Sequence, residues 1–124
     1  MMERQIVVHE PQSLLTAHLE RSLIDDSSIQ VKWTPHWIDF VRESQAETTR
    51  VAILNRVEIS ESLIRDLFHI ARLTNVCCIL RPVDEHHEDV LREIGVVSVM
   101  DEALAEKCLL TTTARLISDE SLDR

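Results

Sequence analysis

Val51-Ala52-Ile53-Leu54 and Val76-Cys77-Cys78-Ile79-Leu80 are unbroken apolar runs bounded by polar residues. A strand with one wet face alternates apolar and polar side chains, whereas a strand covered on both faces reads as a continuous apolar run. Two such runs in one short chain predict a sheet enclosed between layers of helix. The sequence on either side has the matching form. Gln5 to Val8, Ile29 to Trp33 and Val96 to Met100 read as further strands, with Ile29, Val31 and Trp33 on one side of the second. Stretches with helical period separate them. Pro11 to Ile24 carries Leu15, Leu19 and Leu23 at four-residue spacing, and Pro35 opens a helix to about Ala46 that carries Trp37, Ile38 and Val41. Ser60 to Leu73 places Leu63, Leu67, Ile70 and Ala71 on one stripe, Asp84 to Ile94 follows, and Asp101 begins a last helix to about Ile117, with Ser118 to Arg124 as a fraying end. Pro11 is expected as a first helical residue, Ser60, Asp84 and Asp101 as N-caps, Gly95 as a C-terminal stop, and Asp25-Asp26-Ser27-Ser28 as a turn.

The order βαβαβαβαβα implies parallel pairing, right-handed crossovers and helices on both faces of the sheet. The expected fold class is therefore α/β, a doubly wound five-stranded parallel sheet. Its 124 residues suit a single domain over 1–124, large enough to bury a core without disulfides or a metal. The 44% hydrophobic and 28% charged fractions are those of a globular chain.

Charge and composition exclude several functions. With 13 basic against 22 acidic residues the net charge is −9, which argues against binding nucleic acid by neutralising phosphates. Aromatic residues make up 3% with no tyrosine, so base-stacking platforms are not expected. No apolar run is long enough to cross a bilayer, and the start has no apolar core of signal-peptide length, so the expectation is a cytoplasmic protein with no membrane partner. Cys77, Cys78 and Cys108 are expected as free thiols, because neighbouring strand residues point to opposite faces and cannot pair.

In an open parallel sheet, sites lie beyond the carboxyl ends of the strands. Those ends carry His9-Glu10, Asn55-Arg56, Arg81-Pro82 and Met100-Asp101. Here Ile6-Val7-Val8-His9-Glu10-Pro11-Gln12-Ser13-Leu14 resembles the opening of response-regulator receiver domains, and Val51-Ala52-Ile53-Leu54-Asn55 resembles their third strand. The resemblance implies a flavodoxin-like sheet with strand order 2-1-3-4-5 and a site at these strand ends. It also implies which residues depart from the family. A receiver holds magnesium with an acidic pair, where this chain has His9 and Glu10. It phosphorylates an aspartate, where this chain has Asn55, and an amide is not the carboxylate nucleophile that such chemistry needs. A serine or threonine after the fourth strand becomes Arg81, and a lysine after the fifth becomes Met100. The resemblance thus implies a degenerate receiver that binds no metal or cofactor and is not an enzyme.

Other constellations are poorer. Gly95 is the only glycine, which excludes P-loop and dinucleotide-binding fingerprints. His86-His87-Glu88-Asp89 reads as a solvated first helical turn, His18 and His69 as packing or boundary residues, and Ser13 and Ser22 lack a nucleophile elbow. The last helix places apolar residues nearly all round, including Leu104, Cys108, Leu109, Leu110 and Ile117. A helix packed on a sheet needs one stripe. The surplus reads either as an interface, most simply a homodimer or an unknown protein partner, or as scattered exposed apolar residues. At the strand ends, Arg81 is expected either to pair with Glu10 or to point into solvent while Glu10 caps the first helix. The leading functional expectation is a non-phosphorylatable receiver-like interaction module. The alternative is a small enzyme or ligand-binding domain using His9, Glu10 and Arg81, which a deep pocket at the carboxyl edge would favour.

Overall fold

The computed structural model describes residues 4–23, 25–55, 58–80 and 85–122, the last five of these by backbone alone. The elements run β1 (Arg4–His9), α1 (Leu14–Ser22), β2 (Ile29–Trp33), α2 (Trp37–Ser44), β3 (Thr49–Asn55), α3 (Glu61–Ile70), β4 (Asn75–Ile79), α4 (Glu85–Glu93), β5 (Ser98–Met100) and α5 (Glu102–Leu122). The five strands are all parallel in the order β2-β1-β3-β4-β5. This is the flavodoxin-like, receiver-like topology, in which the chain starts near the middle of the sheet and winds outward in both directions.

Strand alternation sorts the core into two layers. Val7, Ala52, Leu54, Val76, Cys78 and Val99 pack against Phe40 of α2, Leu63, Leu67 and Ile70 of α3 and Leu91 of α4. Ile6, Val8, Val51, Ile53, Cys77, Ile79 and Met100 pack against Leu19 of α1 and Leu109 and Ile117 of α5. The adjacent residues Cys77 and Cys78 thus enter opposite layers, and all three cysteines are free. Burial pushes the Cys77 thiol up to about 12 and the Cys78 thiol up by the same cause, so neither is a nucleophile in the folded chain.

The helix ends follow local chemistry. The Ser60 hydroxyl accepts from the Leu63 N–H, and the Asp101 carboxylate accepts from the Leu104 N–H at 2.7 Å. At the end of α4, the Val96 N–H reaches the Leu91 carbonyl and the Gly95 N–H the Arg92 carbonyl, with Gly95 at φ +111°. This is the Schellman stop that a lone glycine there foretells. The Ser28 N–H and hydroxyl both donate to Asp26, closing the turn before β2.

Several boundaries differ from expectation. Pro11 is not the first helical residue: α1 begins at Leu14, with Ser13 as its N-cap residue. α2 starts at Trp37 rather than Pro35, and α3 stops at Ile70 rather than Leu73. β5 is only Ser98–Met100: the Gly95 and Val96 N–H groups close α4, and the Val97 N–H reaches the Val76 carbonyl of β4. α5 continues to Leu122, through the segment expected to fray. The expected caps at Asp84 and the helix end at Ile24 fall outside the described residues.

Two outcomes are expected. Gly95→Ala should destabilise the fold by about 1–3 kcal/mol in urea titration, because an L side chain is strained at this φ and its Cβ would stand 3.3 Å from that of Ala71. Alkylation followed by peptide mass spectrometry should leave Cys77 and Cys78 unlabelled until denaturant unfolds the sheet; rapid labelling of either in buffer would contradict their burial.

Candidate functional site at the carboxyl edge of the sheet

The end of β1 is tied down on every side. Glu10 follows the strand directly and is 2% exposed. Its Oε1 accepts from the Leu15 N–H at 3.2 Å and from the Asn55 side-chain amide at 2.9 Å, while its Oε2 accepts from the Thr16 N–H at 2.8 Å and the Thr16 hydroxyl at 2.7 Å. An ionised carboxylate offers about four acceptor positions, and here each meets a donor. Two of those donors belong to the first turn of α1, whose N–H groups have no partner inside the helix. Ser13, in the N-cap position, makes no side-chain cap bond, and α1 has no acidic residue in its first turn. Glu10 supplies both the cap and the negative charge from outside the helix. Folding back to reach residues 15 and 16 requires the chain to turn over Pro11 to Ser13, which is why helix does not begin at the proline.

The backbone of the same segment is held by β2. The Trp33 indole donates to the Glu10 carbonyl at 2.9 Å, and the Thr34 N–H and hydroxyl both donate to the Val8 carbonyl. His9 Nδ1 lies 2.8 Å from the Thr34 carbonyl, and since a carbonyl only accepts, this nitrogen carries the hydrogen. The His9 ring packs 5.2 Å from Trp37 and 5.5 Å from Phe40, so it leans toward α2 while Glu10 turns toward α1. The two side chains that the resemblance aligns with a receiver's acidic pair therefore diverge.

Asn55, at the end of β3, stands where the resemblance puts the phosphorylated aspartate, and it is spent as a donor to Glu10. Met100, at the position where the resemblance puts a lysine, is 5% exposed and packs into the α1–α5 layer. Arg81 lies outside the described residues, and with it the expected Arg81–Glu10 pair. The other reading of Glu10, as a cap on the first helix, is what the geometry shows. Thr16, Trp33 and Thr34 complete the constellation and were not singled out from sequence. Thr16 offered one signal: a hydroxyl beside Leu15 and three residues before Leu19, on the buried side of an amphipathic helix.

Among the described residues, no group of three His, Cys, Asp or Glu side chains converges on a point where a metal could sit. Glu88, in the His86-His87-Glu88-Asp89 run, is paired with Arg92 one helical turn on.

α5 corrects part of the expected interface. Leu109 is 4% exposed and Ile117 2%; both belong to the core beneath the helix, not to its outer surface. Cys108 packs against the same layer and is partly buried. Leu104 and Leu110 are exposed. Six residues separate them, which on a helix places them about 120° apart around the axis. The apparent surplus is a core stripe with one leucine on each flank. On the Leu110 flank, an open groove of about 980 Å³ separates α5 from α1 and reaches Glu10 and Asn55 at the sheet edge. It is a trough between two helices rather than an enclosed pocket.

The geometry defines a receiver-like fold, and comparison with solved structures agrees about the fold. The chain superposes on a response regulator from Thermotoga maritima with a TM-score of 0.75 at 16% identity, covering 94% of this chain and 99% of that one. It superposes on the signal receiver domain of a Luxo repressor protein from Vibrio parahaemolyticus with a TM-score of 0.79 at 14% identity, covering 98% and 95%. A structure from Burkholderia thailandensis described as a pilus assembly protein gives 0.71 at 17% identity, covering 93% and 98%. No protein-family model and no curated protein sequence matches the chain.

Asn55→Asp tests the network directly. It sets a second carboxylate against Glu10 in place of a 2.9 Å amide donor. The variant should lose about 1–3 kcal/mol of stability at neutral pH. Two facing carboxylates disfavour full ionisation, so the folded variant takes up a proton and its stability should fall as pH rises. Urea titrations at acid and neutral pH, with and without magnesium, read both effects.

Proposed function

We propose that this domain is a receiver-like protein-docking module that works without phosphoryl transfer and without magnesium. The observation that carries the reading is the state of Glu10. In a phosphorylated receiver the acidic residues after β1 face an aspartate across an ion. Here the one remaining carboxylate is filled by α1 and by Asn55, leaving no free oxygen for a hard cation that binds through oxygen ligands. The residue at the acceptor position is an amide, and it points its donor at that carboxylate.

A receiver switches because a phosphoryl group and its metal bias two arrangements of the carboxyl edge. In this chain a permanent hydrogen-bond network stands in that place and favours one arrangement. The domain then presents constant surfaces, and regulation passes to the supply or the state of its partner. Net charge of −9 gives those surfaces a bias toward basic partners and away from phosphate-bearing ones.

Incubation with acetyl phosphate and magnesium, followed by intact-mass measurement, should show no phosphoryl adduct, while a receiver with its full acidic site, treated in parallel, is modified. A phosphoryl adduct on this chain would overturn the reading.

A further inference from the structure

The sheet ends in two edge strands, and they are guarded unequally. β5 is three residues long and lies between α4 and α5. β2 runs five residues, Ile29–Trp33, in unbroken register with β1. It has no proline and no bulge, which are usual devices for blunting an edge, and one charge. That charge, Lys32, has its Nζ 3.2 Å from Glu43 of α2, so it is drawn back onto its own chain.

The open side of β2 follows from its pairing. The Arg4 N–H donates to the Ser28 carbonyl and the Thr34 N–H to the Val8 carbonyl, so even-numbered residues here turn their backbone groups toward β1. Alternate residues of a strand point opposite ways, so the odd-numbered ones turn outward. The Ile29 N–H is taken by the Asp26 carbonyl at 3.1 Å. The Ile29 carbonyl and both backbone groups of Val31 and Trp33 face away from the sheet, with no described strand beyond them. Side chains are sorted in the same way. Ile29 and Val31 pack on the α1–α5 layer, and Trp33, further along that face, is 41% exposed. Gln30 and Lys32 lie on the other face, where α2 packs on β1 and β3 and leaves Gln30 exposed.

We propose that β2 pairs antiparallel with β2 of a second copy of this chain, about a two-fold axis through Val31. The inference goes beyond the docking reading above and does not rest on it, since it concerns a different edge of the sheet. An open ladder accepts an extended strand, which fixes the class of occupant. The order Ile29-Gln30-Val31-Lys32-Trp33 selects the strand, because its pattern is the same read in either direction. Rotation about Val31 sets Val31 opposite Val31, Ile29 opposite Trp33 and Gln30 opposite Lys32, with apolar pairs on one face and polar pairs on the other. The odd residues, whose groups are free, become the hydrogen-bonded pairs. The two Val31 residues exchange bonds, and each Trp33 N–H reaches the Ile29 carbonyl of the other copy. Neighbouring registers fit less well: an axis at Lys32 sets lysine against lysine, and an axis at Gln30 leaves Trp33 opposite the turn residue Ser27. β2 itself has no acidic residue. The net charge of −9 on each chain opposes association, so added salt should tighten the pair.

Sedimentation equilibrium on the full chain should show a weak dimer that grows with concentration, as a small interface gives. Hydrogen exchange identifies the surface: the Val31 and Trp33 amides should become protected as the dimer forms, whereas pairing through any other face leaves them fast. Gln30→Lys places a lysine opposite Lys32 twice in each dimer and should weaken association about tenfold. Gln30→Glu places a carboxylate there and should tighten it about fivefold. Val31→Pro removes an outward N–H that β1 does not use, a position where an edge strand tolerates proline, and should give a folded monomer by circular dichroism. If that variant fails to fold, the two changes at exposed Gln30 carry the test.

A monomer at every soluble concentration, a dimer whose Val31 and Trp33 amides stay fast, or a dimer indifferent to Gln30→Lys would each overturn the proposal. The two readings fail separately: a phosphoryl adduct removes the docking module without phosphotransfer and leaves this pairing standing, whereas a persistent monomer removes only the pairing.

Discussion

The carboxylate of Glu10 is the point through which the carboxyl edge of this domain is organised. A buried charge is costly unless its partners are in place, and here four hydrogen bonds come from two separate elements, α1 and β3. The same residue's carbonyl is held by Trp33 at the end of β2. Three strand ends and the first turn of a helix therefore meet on one amino acid. Moving any of them strands a buried polar group, which costs about 1–3 kcal/mol per unmet partner. The arrangement explains both the late start of α1 and the orientation of Asn55.

The departures from the receiver pattern are connected through this constraint. An aspartate at position 55 would face Glu10 as a second negative charge, and receivers answer that repulsion with a metal. An asparagine answers it with a donor. The amide takes up one of the acceptor positions of Glu10. His9 hydrogen-bonds to Thr34 and packs on Trp37 and Phe40, joining β1 to α2. Met100 fills the α1–α5 layer. The positions that the resemblance aligns with a receiver's reactive groups, His9, Glu10, Asn55 and Met100, each make hydrogen bonds or core contacts here.

The regular alternation of apolar runs and helical stripes made the fold legible. Val51-Ala52-Ile53-Leu54 and Val76-Cys77-Cys78-Ile79-Leu80 read as doubly covered strands because only a central strand tolerates such a run, and both proved central. Local chemistry likewise announced its own turns and stops at Ser60, Asp101, Asp26 and Gly95. Boundaries were less legible where the cause lay outside the element. Pro11 is well suited to open a helix, but nothing near it tells that a carboxylate one residue earlier will seize the N–H groups of residues 15 and 16.

What the sequence determined by itself is the set of residues at the strand ends, because strand length and alternation place those positions without reference to any partner. What only the tertiary structure decided is how the side chains there are used. Glu10 and Asn55 are 45 positions apart along the chain, and their contact exists because β1 and β3 are neighbours in the sheet. The apolar residues of α5 could not be divided by sequence into core and surface, since helical period tells which residues share a face but not which face meets the sheet. Burial settled it: Leu109 and Ile117 lie beneath the helix, while Leu110 is exposed beside the groove between α1 and α5.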